Sequence, residues 1–176
     1  MDNLVQIGKR MSYLLRHNPE DLSIDKNGWV KVEEMVVKLN ITNFVLDLIV
    51  DTNNKKRYAY NEDKTLIRAS QGHSIKVDVE LKEMIPSSEL YHGTSPTVIE
   101  LIMKSGLKKM NRQHVHLSPD IDTAKHVGKR HTKYKNPIIL SVDCKSMVTD
   151  GYKFYISVNG VWLTDNIPPK YLTVCH

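Results

Sequence analysis

Two short polar signatures stand close together in this chain: Leu90-Tyr91-His92-Gly93-Thr94-Ser95 and Arg112-Gln113-His114-Val115-His116-Leu117-Ser118. They join hydrogen-bonding and cationic groups to strand-like residues, and neither contains an obvious general base. That combination suits gripping a dinucleotide and a phosphate better than it suits hydrolysis or metal binding. Further arginines stand beside histidine, serine or glycine: Arg16-His17, Arg57, and Arg68 ahead of Gln71-Gly72-His73-Ser74. Arginine's planar fork matches phosphate bidentately. Any one of these side chains alone reads more readily as solvated surface; together they favour an anion site. In His92-Gly93-Thr94 the glycine permits close backbone approach to a ligand.

Other chemistries are excluded in turn. His114 and His116 lie two apart and would share one face of a strand, with His92 as a third candidate ligand. No cysteine stands nearby, no carboxylate pair accompanies them, and the arginine-rich neighbourhood would make an unusually cationic zinc site, so no metal is expected. His114 reads equally well as a packed residue that shapes its strand. There is no Gly-x-Ser-x-Gly elbow, and Cys144 has no supporting motif. A P-loop and a Rossmann glycine fingerprint are also absent, which argues against a doubly wound nucleotide fold.

Composition sets wider limits. The 176 residues suffice for one compact domain or two small ones, and 40% apolar content can supply a core. Lys plus Arg number 25 against 20 Asp plus Glu, a modest excess that permits nucleic acid as a partner without requiring it. No run approaches the roughly 20 apolar residues of a membrane span. The start, Met1-Asp2-Asn3-Leu4, does not resemble a signal peptide. Cys144 and Cys175 show no metal spacing, so a reducing, cytoplasmic setting without a disulfide is expected, with the protein a monomer.

The elements that must carry these residues fall into two halves. Apolar positions Leu4, Ile7, Met11, Leu14 and Leu15 mark a helix that Asn18-Pro19 ends. After the turn Asn27-Gly28, a second helix is predicted over Val32 to Leu39, with Met35, Val36 and Leu39 inward. Thr42 caps a third, whose apolar stripe is Phe44, Val45, Leu48 and Ile49. Arg57 to Tyr60 and Thr65 to Arg68 then form a hairpin. Three helices followed by a hairpin is the order of a winged-helix unit, a fold analogy that is weak evidence of function by itself. Ile75 to Ser88 links the halves, with the boundary at Pro86-Ser87-Ser88. In the second half, strands are predicted at Leu90 to His92, His114 to Leu117, Ile138 to Val142, Tyr152 to Val158 and Val161 to Thr164. Ser95-Pro96 opens one helix that runs through Met103 to stop at Gly106, and Ser118-Pro119 opens another towards His131. The fold class is therefore α+β.

Six motifs in chain order carry a resemblance: Leu14-Leu15-Arg16-His17; Lys56-Arg57-Tyr58; Ile67-Arg68-Ala69-Ser70-Gln71-Gly72-His73-Ser74; Tyr91-His92-Gly93-Thr94; Arg112-Gln113-His114-Val115-His116-Leu117-Ser118; and Asn159-Gly160-Val161-Trp162-Leu163-Thr164 with Pro168 beyond. In that order they resemble the NAD-dependent RNA 2′-phosphotransferases, which remove the splice-junction 2′-phosphate left on tRNA by some ligation pathways. The match spans nearly the whole chain. Ser70 stands where many relatives carry asparagine.

The resemblance implies an N-terminal winged-helix RNA-binding lobe over residues 1–86 and a C-terminal lobe of the ADP-ribosyltransferase type over 87–176. It implies NAD as a consumed co-substrate and a 2′-phosphorylated RNA, such as tRNA, as partner. The RNA 2′-phosphate would attack the nicotinamide ribose and expel nicotinamide. Transesterification through the ribose 2″-hydroxyl would then give a 2′-hydroxyl RNA and ADP-ribose 1″,2″-cyclic phosphate. A phosphate nucleophile is already anionic and needs positioning more than deprotonation, which accounts for the missing acid. By motif, Arg16, His17, Arg57 and Arg112 correspond to the family's essential set. The three arginines would grip the 2′-phosphate, and His17 would assist transesterification. His92, Gly93, Thr94, His116 and Ser118 would hold NAD. Arg68, Gln71, His73 and Ser74 would contact RNA or serve the junction of the lobes. Two other readings stand beside this one: NAD-dependent ADP-ribosylation of terminal nucleic-acid phosphates, and an inert winged-helix nucleic-acid binder.

Overall fold

Met11, Leu14 and Leu15 are fully buried along one face of the first helix, α1 (Asp2–Arg16), the face that the apolar spacing predicts. The computed structural model describes residues 2–130 and 136–175, and the chain divides into two compact units, Met1–Glu80 and Leu81–His176. In the first unit, strand β1 (Val30–Lys31) leads directly into α2 (Val32–Leu39), followed by α3 (Asn43–Asp51), β2 (Tyr58–Tyr60) and β3 (Leu66–Ala69). The strands form an antiparallel sheet in the order β1-β3-β2, with Val30 opposite Ile67 and Tyr58 opposite Ala69.

Local chemistry accounts for most of these boundaries. The Thr42 side chain accepts a hydrogen bond from the Val45 amide and caps α3, as expected. Asn40 ends α2 in the left-handed region at φ 51°, and its N–H reaches the Val36 and Val37 carbonyls. One expected core residue is misplaced. Phe44 is 75% exposed, whereas Leu46 and Ile49 are the buried residues of α3. At about 100° per residue Phe44 stands about 200° around the helix from Leu46 and about 140° from Ile49, on the face away from the buried stripe.

The second unit has two antiparallel sheets. One has the order β10-β7-β5 and the other β4-β8-β9-β6. Their members are β4 (Lys82–Glu83), β5 (Leu90–Thr94), β6 (Val115–Leu117), β7 (Ile138–Val142), β8 (Phe154–Ile156), β9 (Trp162–Thr164) and β10 (Leu172–Cys175). A reciprocal pair of backbone bonds, Tyr91 N–H to Ser118 C=O at 2.9 Å and Ser118 N–H to Tyr91 C=O at 2.8 Å, stitches β5 to the residue after β6. The helices are α4 (Ile99–Ser105), α5 (Ile121–Gly128) and α6 (Cys144–Thr149). Their surroundings include a core of Leu90, Leu117, Leu140, Met147, Phe154 and Ile167.

Two helix starts differ from expectation. Ser95-Pro96 opens a single 3-10 turn, Pro96–Val98, before α4 begins; α4 stops at Gly106, whose φ of 83° only glycine adopts freely. Asp120, not Ser118-Pro119, caps α5 by accepting from the Thr123 amide, because Ser118 is engaged with β5; the expected end at His131 lies outside the described residues. The helix α6 and strand β10 were not anticipated, since six- and four-residue elements carry too little periodicity. The architecture is α+β, as expected. Among the described residues no helix is long and apolar enough to cross a membrane.

Candidate active site

In the first unit Arg16 occupies the last turn of α1 and His17 follows it. Helix ends leave carbonyls without intrahelical partners. Here the Arg16 carbonyl accepts from the Ser74 amide at 2.9 Å and the Ile75 amide at 3.3 Å. The Ser74 hydroxyl also lies 3.0 Å from His17 Nδ1. The segment Gln71-Gly72-His73-Ser74 therefore holds the end of the helix that presents Arg16 and His17.

Arg57 is fixed just ahead of β2. Its amide donates to Asn53 Oδ1 at 3.1 Å and its carbonyl accepts from the Ser70 amide at 2.8 Å. The Ser70 hydroxyl donates to the Lys56 carbonyl at 2.8 Å, so the residue that departs from the family pattern still ties β3 to the Arg57 segment. Arg16 Nη2 donates to the Arg57 carbonyl at 3.4 Å, which brings the two arginine positions together. Among the described residues no carboxylate pairs with the Arg57 guanidinium, in contrast with Arg10, held by Glu20 at 2.7 Å. Asn53 escaped the sequence reading, which noted Ser70 only as a departure from the family pattern; an asparagine just past the end of α3 was the available signal.

Two of the residues expected to contact RNA are interior. Arg68 is 8% exposed, stacks 4.2 Å from the Trp29 ring centroid, pairs with Glu80 at 3.0 Å and donates to the Asn27 carbonyl. His73 is 2% exposed, and among the described residues its Nε2 has no hydrogen-bond partner. Burial, reinforced by the charges of Arg16, His17 and Arg68, holds the His73 imidazole down to a pKa of about 4. These side chains support the site from within. Gln71 is half-buried and Ser74 exposed.

In the second unit the Tyr91–Ser118 bridge sets the two polar signatures side by side. His92 Nδ1 lies 3.0 Å from the His116 carbonyl, which orients the ring across the gap between the strands. Thr94 and Ser118 are buried at 7% and 8% exposure, whereas His92 and His116 are half-buried. Arg112 is exposed in a turn closed by its amide on the Lys109 carbonyl at 3.1 Å, and among the described residues it has no carboxylate partner. His114 packs its ring 5.7 Å from Tyr155, and burial lowers its pKa, so it shapes the strand.

Gly93 is required by packing. A Cβ there would stand 2.0 Å from the Ala124 carbonyl oxygen of α5 and 3.0 Å from the Gly128 amide. The missing side chain makes room for a helix backbone against β5, not for a ligand on that face. His92, one residue earlier, points to the opposite face of the strand.

Among the described residues no group of three His, Cys, Asp or Glu side chains could hold a metal ion. Cys144 is buried, and burial pushes its thiol up to about 11, so it is no nucleophile at neutral pH.

Residues 2–166 match the family model described as RNA 2′-phosphotransferase, Tpt1 / KptA family. The chain is 53% identical to a protein of Fusobacterium nucleatum named "Probable RNA 2'-phosphotransferase", over 98% of this chain and 99% of that one. A protein of the same name from Flavobacterium johnsoniae is 52% identical, over 94% of this chain and 93% of its own. One from Nostoc punctiforme is 45% identical, over 96% of each. Agreement at this level along the full length defines an enzyme of the phosphotransferase class. The chain belongs to the RNA 2′-phosphotransferase family.

Proposed function

We propose that this protein removes an internal 2′-phosphate from RNA, such as a tRNA splice-junction phosphate, by transferring it to NAD. The first unit is then a winged-helix RNA-binding lobe and the second an ADP-ribosyltransferase-like lobe that binds NAD. Three helices with a three-stranded antiparallel sheet, and two antiparallel sheets with short helices, support that division.

NAD, consumed as a co-substrate, supplies the ribose that accepts the phosphate and releases nicotinamide. The donor set fits it: half-buried His92 and His116, the hydroxyls of Thr94 and Ser118, and no carboxylate within residues 90–94 or 114–118 to repel a pyrophosphate. Arg16, Arg57 and Arg112 neutralise the RNA phosphate, hold it for attack and stabilise the charge that redistributes as it is transferred. His17, oriented by Ser74, hydrogen-bonds or moves a proton during transesterification. Arg68 and His73 act as internal scaffold, leaving Gln71 and Ser74 nearer the RNA.

The observation that carries this reading is the joining of Arg16 to the Arg57 segment, 41 residues apart, beside a histidine that a serine holds in place. The test is an RNA oligonucleotide with an internal 2′-phosphate, incubated with and without NAD. Nicotinamide, 2′-hydroxyl RNA and ADP-ribose 1″,2″-cyclic phosphate are the expected products. Phosphate loss without NAD, or no conversion, overturns the reading. Stable ADP-ribosylated terminal phosphates would mark the alternative activity.

A further inference from the structure

We propose that a groove on the first unit, between α1 and the connection from α3 to β2, seats a nucleotide flanking the 2′-phosphate in single-stranded RNA. Its base would lie on Tyr13 and its backbone phosphate near Lys9. This rests on the proposed phosphotransferase reading and assigns the substrate a second point of contact.

The groove encloses about 510 Å³, within the range of roughly 300–1,000 Å³ typical of ligand sites. Lys9, Ser12, Tyr13, His17, Asn54 and Arg57 line it, and no carboxylate does. Two residues of the proposed phosphate site, His17 and Arg57, thus belong to the same groove as Lys9, two helical turns earlier on α1. The Tyr58 hydroxyl donates to the Gly8 carbonyl at 2.6 Å and is thereby occupied in the floor, while Ile49 gives the floor an apolar patch.

Tyr13 is the feature that selects the ligand. It is 45% exposed, and its ring lies 6.0 Å from that of His17. The Arg10 guanidinium, held by Glu20, stands 5.8 Å from the ring centroid and steadies it. An aromatic platform beside cations and an amide, with no acid in the groove lining, is the arrangement on which single-stranded bases stack while the backbone is neutralised. Of the residues expected to contact RNA, Arg68 and His73 are buried, Gln71 is half-buried and Ser74 is exposed; this groove supplies further exposed ones.

The test compares a 2′-phosphorylated mononucleotide, which has no flanking nucleotide, with a longer single-stranded RNA carrying the same 2′-phosphate internally. With the longer RNA, Tyr13→Ala raises the RNA KM about tenfold, as loss of one stacked base predicts, while kcat and the KM for NAD stay within about twofold. Tyr13→Phe behaves as the unsubstituted protein. Lys9→Ala raises the KM and reduces its salt dependence by about one unit of slope. With the mononucleotide these effects shrink. An unchanged RNA KM in Tyr13→Ala overturns the proposal, as does a fall in kcat alone, which would make the ring a mere support for His17. Should the unsubstituted protein lack NAD-dependent activity, the phosphotransferase reading fails by itself. The groove is then judged by fluorescence anisotropy with the unphosphorylated longer RNA: weaker binding by Tyr13→Ala supports it, and equal binding overturns it.

Discussion

The Ser74 hydroxyl lies 3.0 Å from His17 Nδ1, while the Ser74 amide donates to the carbonyl of the preceding Arg16 at 2.9 Å. One residue therefore sets the ring orientation of His17 and anchors the helix end that presents Arg16. The side chain takes part in both, since its hydroxyl also stands 3.4 Å from the Arg16 carbonyl, but the shorter backbone bond holds the helix end without it. Ser74→Ala should leave the fold intact and slow turnover about fivefold, the worth of roughly 1 kcal/mol of hydrogen bonding. The KM for NAD should not move, and Ser74→Thr should recover most of the rate. Steady-state kinetics of the three proteins check this; an unaltered kcat in Ser74→Ala would show that His17 is positioned by other means.

Gly93 makes a stability prediction. A Cβ placed 2.0 Å from a backbone carbonyl oxygen cannot be relieved by a side-chain rotation, so α5 must lift from β5. Gly93→Ala should cost about 3 kcal/mol, the upper part of the overpacking range, and lower the melting temperature by about 6–12 °C. Gly128→Ala should cost less, because its nearest clash, 2.7 Å, is with the Pro137 side chain. Thermal melts of both variants give the ranking. Equal stability of Gly93→Ala and the unsubstituted protein would contradict the packing described.

The motif residues were legible because each motif is a string of adjacent residue types, and adjacency survives without knowledge of the fold. The helices α1, α2 and α3 were legible for a related reason: their apolar spacing, the Asn18-Pro19 stop and the Thr42 cap are local signals. Burial was harder to read. Arg68 looks like a surface cation in sequence, yet Trp29 and Glu80, both distant along the chain, take it inside. Gly93 invites a ligand-binding reading until a helix from residues 121–128 is seen to occupy its face. The Lys56 carbonyl that receives Ser70, and the groove beside Tyr13, exist only once β2 and β3 pair.

His73 predicts an acid-sensitive stability. Its pKa falls from 6.5 to about 4 in the folded chain, so between those values the unfolded state binds more protons. The contribution is fully present above about pH 6.5 and is lost as pH falls towards 4, amounting to at most about 3 kcal/mol. Denaturant unfolding of the protein at pH 7.5 and pH 4.5 should show the loss. His73→Phe, which cannot take up a proton, should flatten that part of the profile. An identical pH dependence in both proteins would remove His73 as the cause.

Arg68 separates an internal role from an RNA contact. Its guanidinium is stacked on Trp29, paired with Glu80 and bonded to the Asn27 carbonyl, and its side chain is only 10% exposed. Truncation to alanine would strip the indole of its cation and leave the Asn27 carbonyl without this donor. Arg68→Ala should therefore destabilise the protein by about 2 kcal/mol, with the KM for RNA within about twofold of the unsubstituted value at a temperature where both are folded. Arg68→Lys should recover little, since an ammonium lacks the planar face that lies over the indole. Glu80→Ala should cost less than about 1 kcal/mol, because the Glu80 side chain is 61% exposed and water replaces much of its interaction. Denaturant melts and RNA kinetics on the three variants decide the matter. A large rise in RNA KM with unchanged stability would return Arg68 to the RNA-binding surface.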